Sequence, residues 1–252
     1  MGQALFHLNK PAEGYKEFVR ADELDKNLPN PYVATALMYD QLDDAGKAEQ
    51  AFERAVQADK NDAGTLAAYG QWLIKTGQVE KAEKTLEAAR QANPNSLDIL
   101  ILSGVAASMS KKMKPAEDYF MQAHGMAPTN GTVINQLALL LIDQPDEDKR
   151  RRALEFAGMN AKLNNENAEA QITLAWVLYQ MGRMADANAT LRNAIQLGNM
   201  GPDGYYLLAK MLSEQNQADA AKQFLEQALG AESSGIFIHR RDAEELLASL
   251  NK

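Results

Sequence analysis

The amino-acid sequence predicts an all-α solenoid built from repeated helix–turn–helix units, and three observations carry that expectation. Residue columns recur at a fixed step of 34 positions. Each step holds two amphipathic helical stretches around a turn. The prolines fall between or at the edges of those stretches, never in their interiors, where a ring would break the helix. A fixed period in this range marks a repeat array, in which each unit buries its apolar face against adjacent units.

Residues 66–94 (LAAYGQWLIKTGQVEKAEKTLEAARQANP) show the unit most clearly. Leu66, Tyr69, Gly70 and Leu73 share one helix face at i, i+3, i+4, i+7 spacing. Gly77 makes the turn. Ala82, Leu86 and Ala89 line the second helix, which stops at Pro94. Neither stripe is wide enough to stand alone, so the hairpin needs neighbours.

Four columns supply them. The first is Gly14, Ala48, Ala82, Ala116, Ala153, Ala187 and Ala221, with a step of 34 throughout except one of 37. The second is Gly2, Ala36, Gly70, Gly104, Ala138, Ala175 and Ala209. The third, mostly bulky, is Phe18, Phe52, Leu86, Phe120, Ala157, Leu191 and Leu225. The fourth is Ala21, Ala55, Ala89, Ala123, Asn160, Ala194 and Ala228. Small residues let paired helices approach, and the bulky column fills the space between pairs.

These columns resemble the tetratricopeptide repeat family, whose unit is a 34-residue helix–turn–helix. Ala48, Phe52 and Ala55 carry its Ala–x3–Phe–x2–Ala signature, as do Ala116, Phe120 and Ala123, closed by Pro128. The resemblance covers nearly the whole chain and implies a right-handed superhelical solenoid. The expected division is a single array: a partial repeat at 1–28, full repeats at 29–62, 63–96, 97–130, 131–167, 168–201 and 202–235, and a capping helix at 236–252. In that last stretch Arg240 to Leu250 presents Leu246, Leu247 and Leu250 to the array and its charges to water. Because Gly2 stands where a residue about eight positions into a unit belongs, the chain is expected to be a piece of a longer protein.

The fifth unit departs from the pattern. Three extra residues fall in its turn around Gln144 and Pro145, and Ala157 and Asn160 replace a bulky and a small apolar residue. Looser packing is expected there. The run Asp146 to Arg152 (DEDKRRR) is expected to open a helix with acids and continue as a solvated basic face.

Composition narrows the function. Twenty-six basic residues stand against 34 acidic ones, a net charge of −8, which disfavours nucleic acid as a partner. There is no cysteine for disulfides or thiolate chemistry and no apolar run approaching the roughly 18 residues of a membrane span. His7, His124 and His239 lie in different units, without a metal-ligand cluster. No phosphate loop or nucleophile elbow is present, so no catalytic residue, metal site or cofactor is expected. The sequons at Asn130 and Asn188 are short patterns, the second inside an expected helix.

What remains is a surface. In the family that these columns resemble, the first helices of successive units line a concave groove where partner peptides bind. Carried over, that groove comprises Val33, Leu37, Gln71, Ile74, Lys75, Ile101, Val105, Met109, Asn135, Leu139, Ile142, Ile172, Trp176, Tyr179, Tyr206 and Lys210, with Asp40, Ala67, Asp143 and Glu214 beside them. These side chains are expected to lie off the packing faces, with Trp176 and Tyr179 as binding anchors. The carboxylate-gripping Lys, Asn and Arg of some members are absent, since Val33, Leu37, Ala67, Gln71, Ile101 and Val105 occupy those places.

The expected function is therefore a non-enzymatic protein–protein interaction scaffold, holding a peptide or helix with apolar anchors in the groove. Two alternatives stand beside it. One is a bacterial envelope, pilus or secretion assembly factor, suggested by Ala-rich helices with Gln and Asn between them. The other is the repeat arm of a larger enzyme whose catalytic domain lies outside this chain. Self-association through the clipped N-terminal end is a further expectation. The expected location is cytoplasmic by default, or periplasmic or lipid-anchored if a signal lies upstream.

Overall fold

The computed structural model describes residues 1–25, 28–230 and 235–251. Parts of the expected divisions 1–28, 202–235 and 236–252 lie outside the described residues. Among the described residues there are fifteen helices and no strand: α1 (Gly2–His7), α2 (Pro11–Leu24), α3 (Pro31–Gln41), α4 (Ala45–Ala58), α5 (Ala63–Lys75), α6 (Val79–Ala92), α7 (Leu97–Met109), α8 (Met113–Met126), α9 (Gly131–Ile142), α10 (Glu147–Leu163), α11 (Ala168–Gln180), α12 (Met184–Leu197), α13 (Pro202–Glu214), α14 (Ala218–Gly230) and α15 (Arg240–Leu250). None is long and apolar enough to cross a membrane. The chain forms two compact units, Met1–Leu102 and Ser103–Lys252.

Unit 1 shows how the small columns act. Gly70 of α5 faces Leu86 of α6 so closely that a Cβ on Gly70 would lie 2.6 Å from Leu86 Cδ2. Gly2 and Gly14 play the same part between α1 and α2, against Phe18 and Phe6. Phe52 is fully buried and stacks on Tyr69, ring centroids 5.2 Å apart. Polar ties run alongside. Lys81 Nζ donates to Glu49 at 2.6 Å and to Glu53 at 3.0 Å, joining α6 to α4. Helix starts are capped by side chains, with Asn30 accepting from Tyr32 N–H, Asp44 from Lys47 N–H, and Asp62 from Gly64 and Thr65 N–H.

In unit 2 the columns continue. A Cβ on Gly104 would lie 2.6 Å from the Phe120 ring, and Ala116, Phe120 and Ala123 have no exposed surface. One cluster then runs from Ala138 and Leu141 through Ala153, Ala175, Leu191, Ala209 and Leu225 to Ala243. Ala243 stands 34 residues after Ala209 and is fully buried. The second small-residue column thus extends by one member into α15.

The turn between paired helices has a fixed requirement. Asn9, Asp43, Gly77 and Lys111 follow one another at 34-residue steps, and each adopts a left-handed backbone, with φ between 56° and 76°. Gly182 and Asn216 do the same. The next step from Lys111 lands on Pro145, whose ring holds φ near −65° and forbids that conformation. The fifth unit therefore closes its turn differently, through Asp143 to Asp146, and spends three more residues doing so.

That unit corrects two expectations. Asn160 is 1% exposed, and hydrogen bonds take the place of apolar contact around it. Its amide donates to Asn135 Oδ1 at 2.6 Å and to the Gly131 carbonyl at 3.0 Å, while Asn164 donates to Asn160 Oδ1 at 2.6 Å. The site is tied rather than loose, because a buried amide is stable only when its donors and acceptors are paired. Nor is the basic run merely solvated. Lys149 pairs with the buried Glu117 of α8 at 2.6 Å, Arg150 donates to the Gln180 carbonyl, and Arg152 reaches Met121 Sδ at 3.5 Å. Arg151 is the member facing water, beside Asp148. Acids do open the helix, with Asp146 accepting from Lys149 N–H.

Candidate partner-binding face

The expected groove residues occupy the first helix of each pair, and the two units place them differently. In unit 1, Leu37 of α3 is 40% exposed, and Gln71 and Lys75 of α5 face solvent. Their arrangement is held by Asp40, which accepts from Trp72 Nε1 at 3.0 Å and from Lys75 Nζ at 2.7 Å. One carboxylate thereby buries an indole behind the face and holds an ammonium on it. Leu42, just past α3, is also exposed. Val33 and Ile74, by contrast, are buried, and Ile101 is half-buried.

In unit 2 the expectation that these side chains lie off the packing faces is corrected. Val105, Ile142, Ile172, Trp176 and Tyr206 are buried, Trp176 to 2% and Tyr206 to 5% exposure. All but Val105 belong to the unit's main core cluster. For Trp176 and Tyr206 the physical reason is what lies over them. Lys210 Nζ sits 4.6 Å from the centre of the Trp176 ring and 5.9 Å from that of Tyr206, covering both with its cation and stem. Tyr179 stacks beside Trp176 at 6.0 Å. His239, in the segment before α15, stacks on Tyr206 with centroids 5.0 Å apart. Burial, and then the negative charges of Asp242, Asp143, Asp203 and Glu214, push the Tyr206 hydroxyl far above its ordinary pKa, so it stays protonated. Met109, Asn135, Leu139, Tyr179 and Lys210 remain half-buried, and Asn135 is committed to Asn160.

Two acids place the chain between successive pairs. Glu169, in the first turn of α11, accepts from Gly201 N–H ahead of α13, and a Cβ on Gly204 would lie 2.8 Å from its Oε1. Asp203, 34 residues on, accepts from the N–H groups of Ile238 and His239 at 3.2 and 3.0 Å. Neither role was anticipated from the sequence, although the 34-residue step between the two acids was a readable signal. Among the described residues no group of three His, Asp or Glu side chains is arranged to hold a metal ion.

Family models described as tetratricopeptide repeat match residues 41–104 and 172–235, together just over half of the chain. The chain belongs to the tetratricopeptide repeat family. Solved structures agree on the fold. A tetratricopeptide repeat protein from Parabacteroides merdae ATCC 43184 is 13% identical, with 100% of this chain and 96% of that chain covered and a TM-score of 0.75. A thermophilic repeat protein in Thermus thermophilus is 18% identical, covering 75% of this chain and 98% of its own, with a TM-score of 0.61. The pilF protein of Pseudomonas aeruginosa is 18% identical, covering 92% of this chain and 99% of its own, with a TM-score of 0.58. No curated protein matches the sequence. The tetratricopeptide repeat fold accounts for the helix pairs.

Proposed function

We propose that the chain is a non-catalytic scaffold holding a peptide or helix of another protein against its first helices, the surface expected from the sequence as the concave groove. The observation that carries this is the open face of unit 1. Leu37 of α3 and Leu42 just past it stand exposed, Gln71 and Lys75 are exposed on α5, and Asp40 of α3 ties Lys75 to the helix that carries Leu37. An apolar side chain next to a positioned cation can take an apolar anchor and an acidic or carbonyl group of an extended partner. The repeat division 1–28, 29–62, 63–96, 97–130, 131–167, 168–201 and 202–235, with 236–252 as a terminal helix, is part of the proposal. Each full repeat then offers one first helix.

Crosslinking mass spectrometry with Leu37→Asp and Lys75→Glu tests it. Partner recovery should fall about tenfold or more in at least one variant; undiminished recovery in both removes the assignment to this face. A specific observation also favours contact between copies at the first pair, where Leu8 and Leu24 are 69% and 89% exposed. Sedimentation velocity should then show a concentration-dependent species that Leu24→Lys abolishes, and a monomer at all concentrations removes that part.

A further inference from the structure

Asn160 breaks a packing column that does not need it. The other members are Ala21, Ala55, Ala89, Ala123, Ala194 and Ala228, so an alanine would fill its place. A buried amide must instead be satisfied by hydrogen bonds, because leaving it unpaired is costly. Room is made for it on α9. Gly131 stands where the preceding and following repeats have Leu97 and Ala168, and a Cβ there would lie 3.1 Å from Asn160 Oδ1 and 3.2 Å from Asn164 Nδ2.

The bonds fix which way each amide points. The Gly131 carbonyl can only accept, and it lies 3.0 Å from Asn160 Nδ2, so the nitrogen end of Asn160 faces α9. The same nitrogen lies 2.6 Å from the Asn135 side chain, which must therefore turn its oxygen inward. Asn164 donates to Asn160 Oδ1 from the other side and holds that amide against a flip. What remains of Asn135 is its amino group. It makes no hydrogen bond among the described residues and is not shut away from solvent. Ile172 and Tyr206, which follow Asn135 in its column on the next two first helices, are buried. Asn135 is half-buried, one helical turn before the half-buried Leu139. A donor of fixed direction thus stands beside an apolar side chain on α9.

We propose that the amino group of Asn135 binds a main-chain carbonyl of a partner segment, with Asn160 as the residue that positions it. The segment is extended and carries an apolar side chain next to that carbonyl, for Leu139. A helix is poorly matched, because its carbonyls are used within the helix except in the last turn. Every carbonyl of an extended segment is free to accept. This role rests on the scaffold function proposed above and extends it to the first helices of unit 2.

Counter-selection tests it on the full chain. A random peptide display library is panned on the wild-type chain against an excess of the Asn135→Asp chain. That variant keeps an inward oxygen for Asn160 and replaces the outward donor with an acceptor. Peptides should be enriched that bind the wild type at least about tenfold more tightly than the variant in fluorescence anisotropy. A library that holds none overturns the proposal. Binding of an enriched peptide should fall about threefold in Asn160→Ala, which packs as its column does but leaves the Asn135 amide free to rotate. Unchanged binding there overturns the positioning role of Asn160. Raising salt about tenfold should leave the affinity nearly constant, and a steep fall overturns the choice of a neutral carbonyl in favour of a carboxylate. If Asn135→Asp unfolds, heteronuclear NMR of the wild-type chain with a peptide selected on it decides. The Asn135 side-chain amide resonances should shift, and unmoved resonances overturn the contact. If Leu37→Asp still lowers partner recovery while no peptide depends on Asn135, the scaffold function stands and this contact falls.

Discussion

One register of the repeat separates the two units. Leu37 and Gln71 in unit 1 are exposed, while their counterparts Val105 and Trp176 in unit 2 are buried, with Leu139 and Lys210 half-buried. These residues recur at 34-residue steps, with one step of 37 between Leu139 and Trp176. The period says where a residue sits within its helix pair. It does not say what lies above that residue. In unit 2 the side chains that lie above are Lys210 and His239, with α15 packed on the same core. A large aromatic on a first helix is thus a core residue in one unit at a position that is open surface in the other.

The largest test of that contrast is a matched pair of truncations. Trp176→Ala should cost about 3–5 kcal/mol in urea unfolding followed by circular dichroism, whereas Leu37→Ala should cost under about 0.5 kcal/mol. Equal costs would erase the distinction between the two faces. Next comes a pair of glycines. Gly104→Ala drives a Cβ into the flat edge of Phe120 and should destabilise by about 1–3 kcal/mol. Gly70→Ala meets Cδ2 and Cγ of the buried Leu86 at 2.6 and 2.7 Å, so the overlap should outweigh the gain of about 1 kcal/mol in helix propensity and leave a net loss smaller than at Gly104. Phe120→Leu should reduce the penalty of Gly104→Ala, and no such rescue would mean that the close approach is not limiting.

Smaller effects separate the turns. Gly77 and Lys111 hold the same left-handed position, one in each unit. Gly77→Lys should cost about 1 kcal/mol, and Lys111→Gly should gain up to about that amount, less the small contribution of its pair with Asp242. Thermal melts showing the opposite signs would contradict the backbone assignment.

The smallest expected effect depends on pH and also differs between units. Asp44 of unit 1 is held below its ordinary range by the hydrogen bond from Lys47, so its contribution is lost as pH falls through that lowered value. Glu169 of unit 2 is pushed up by burial, against the pull of the Gly201 N–H. The fold favours its protonated form. Its contribution is therefore present below the ordinary glutamate value and lost as pH rises through the raised one. Glu169→Gln should match the wild type at about pH 4 and exceed it at neutral pH, and identical melting profiles at all pH values would remove the effect.

The family and the helix pairs were legible because their causes are local and repeated. Small residues at fixed places let helices touch, and a period of 34 survives any change at the surface. The irregular fifth unit was visible as well, in the displaced step and in Pro145, though the left-handed turn that explains it needed the backbone. The candidate face was half legible. Its residues were placed on the right helices, but seven of the sixteen are buried, because exposure depends on side chains far away in sequence.

By itself, then, the sequence determined the class of fold, the pairing of helices and the columns that pack them, all of which follow from contacts within one period. Only the tertiary structure decided that Asp40 holds Trp72 and Lys75, that Asn160 anchors a buried amide network, and that Asp242 meets Lys111 across 131 residues. Contacts between residues on different helices are set by how those helices stack.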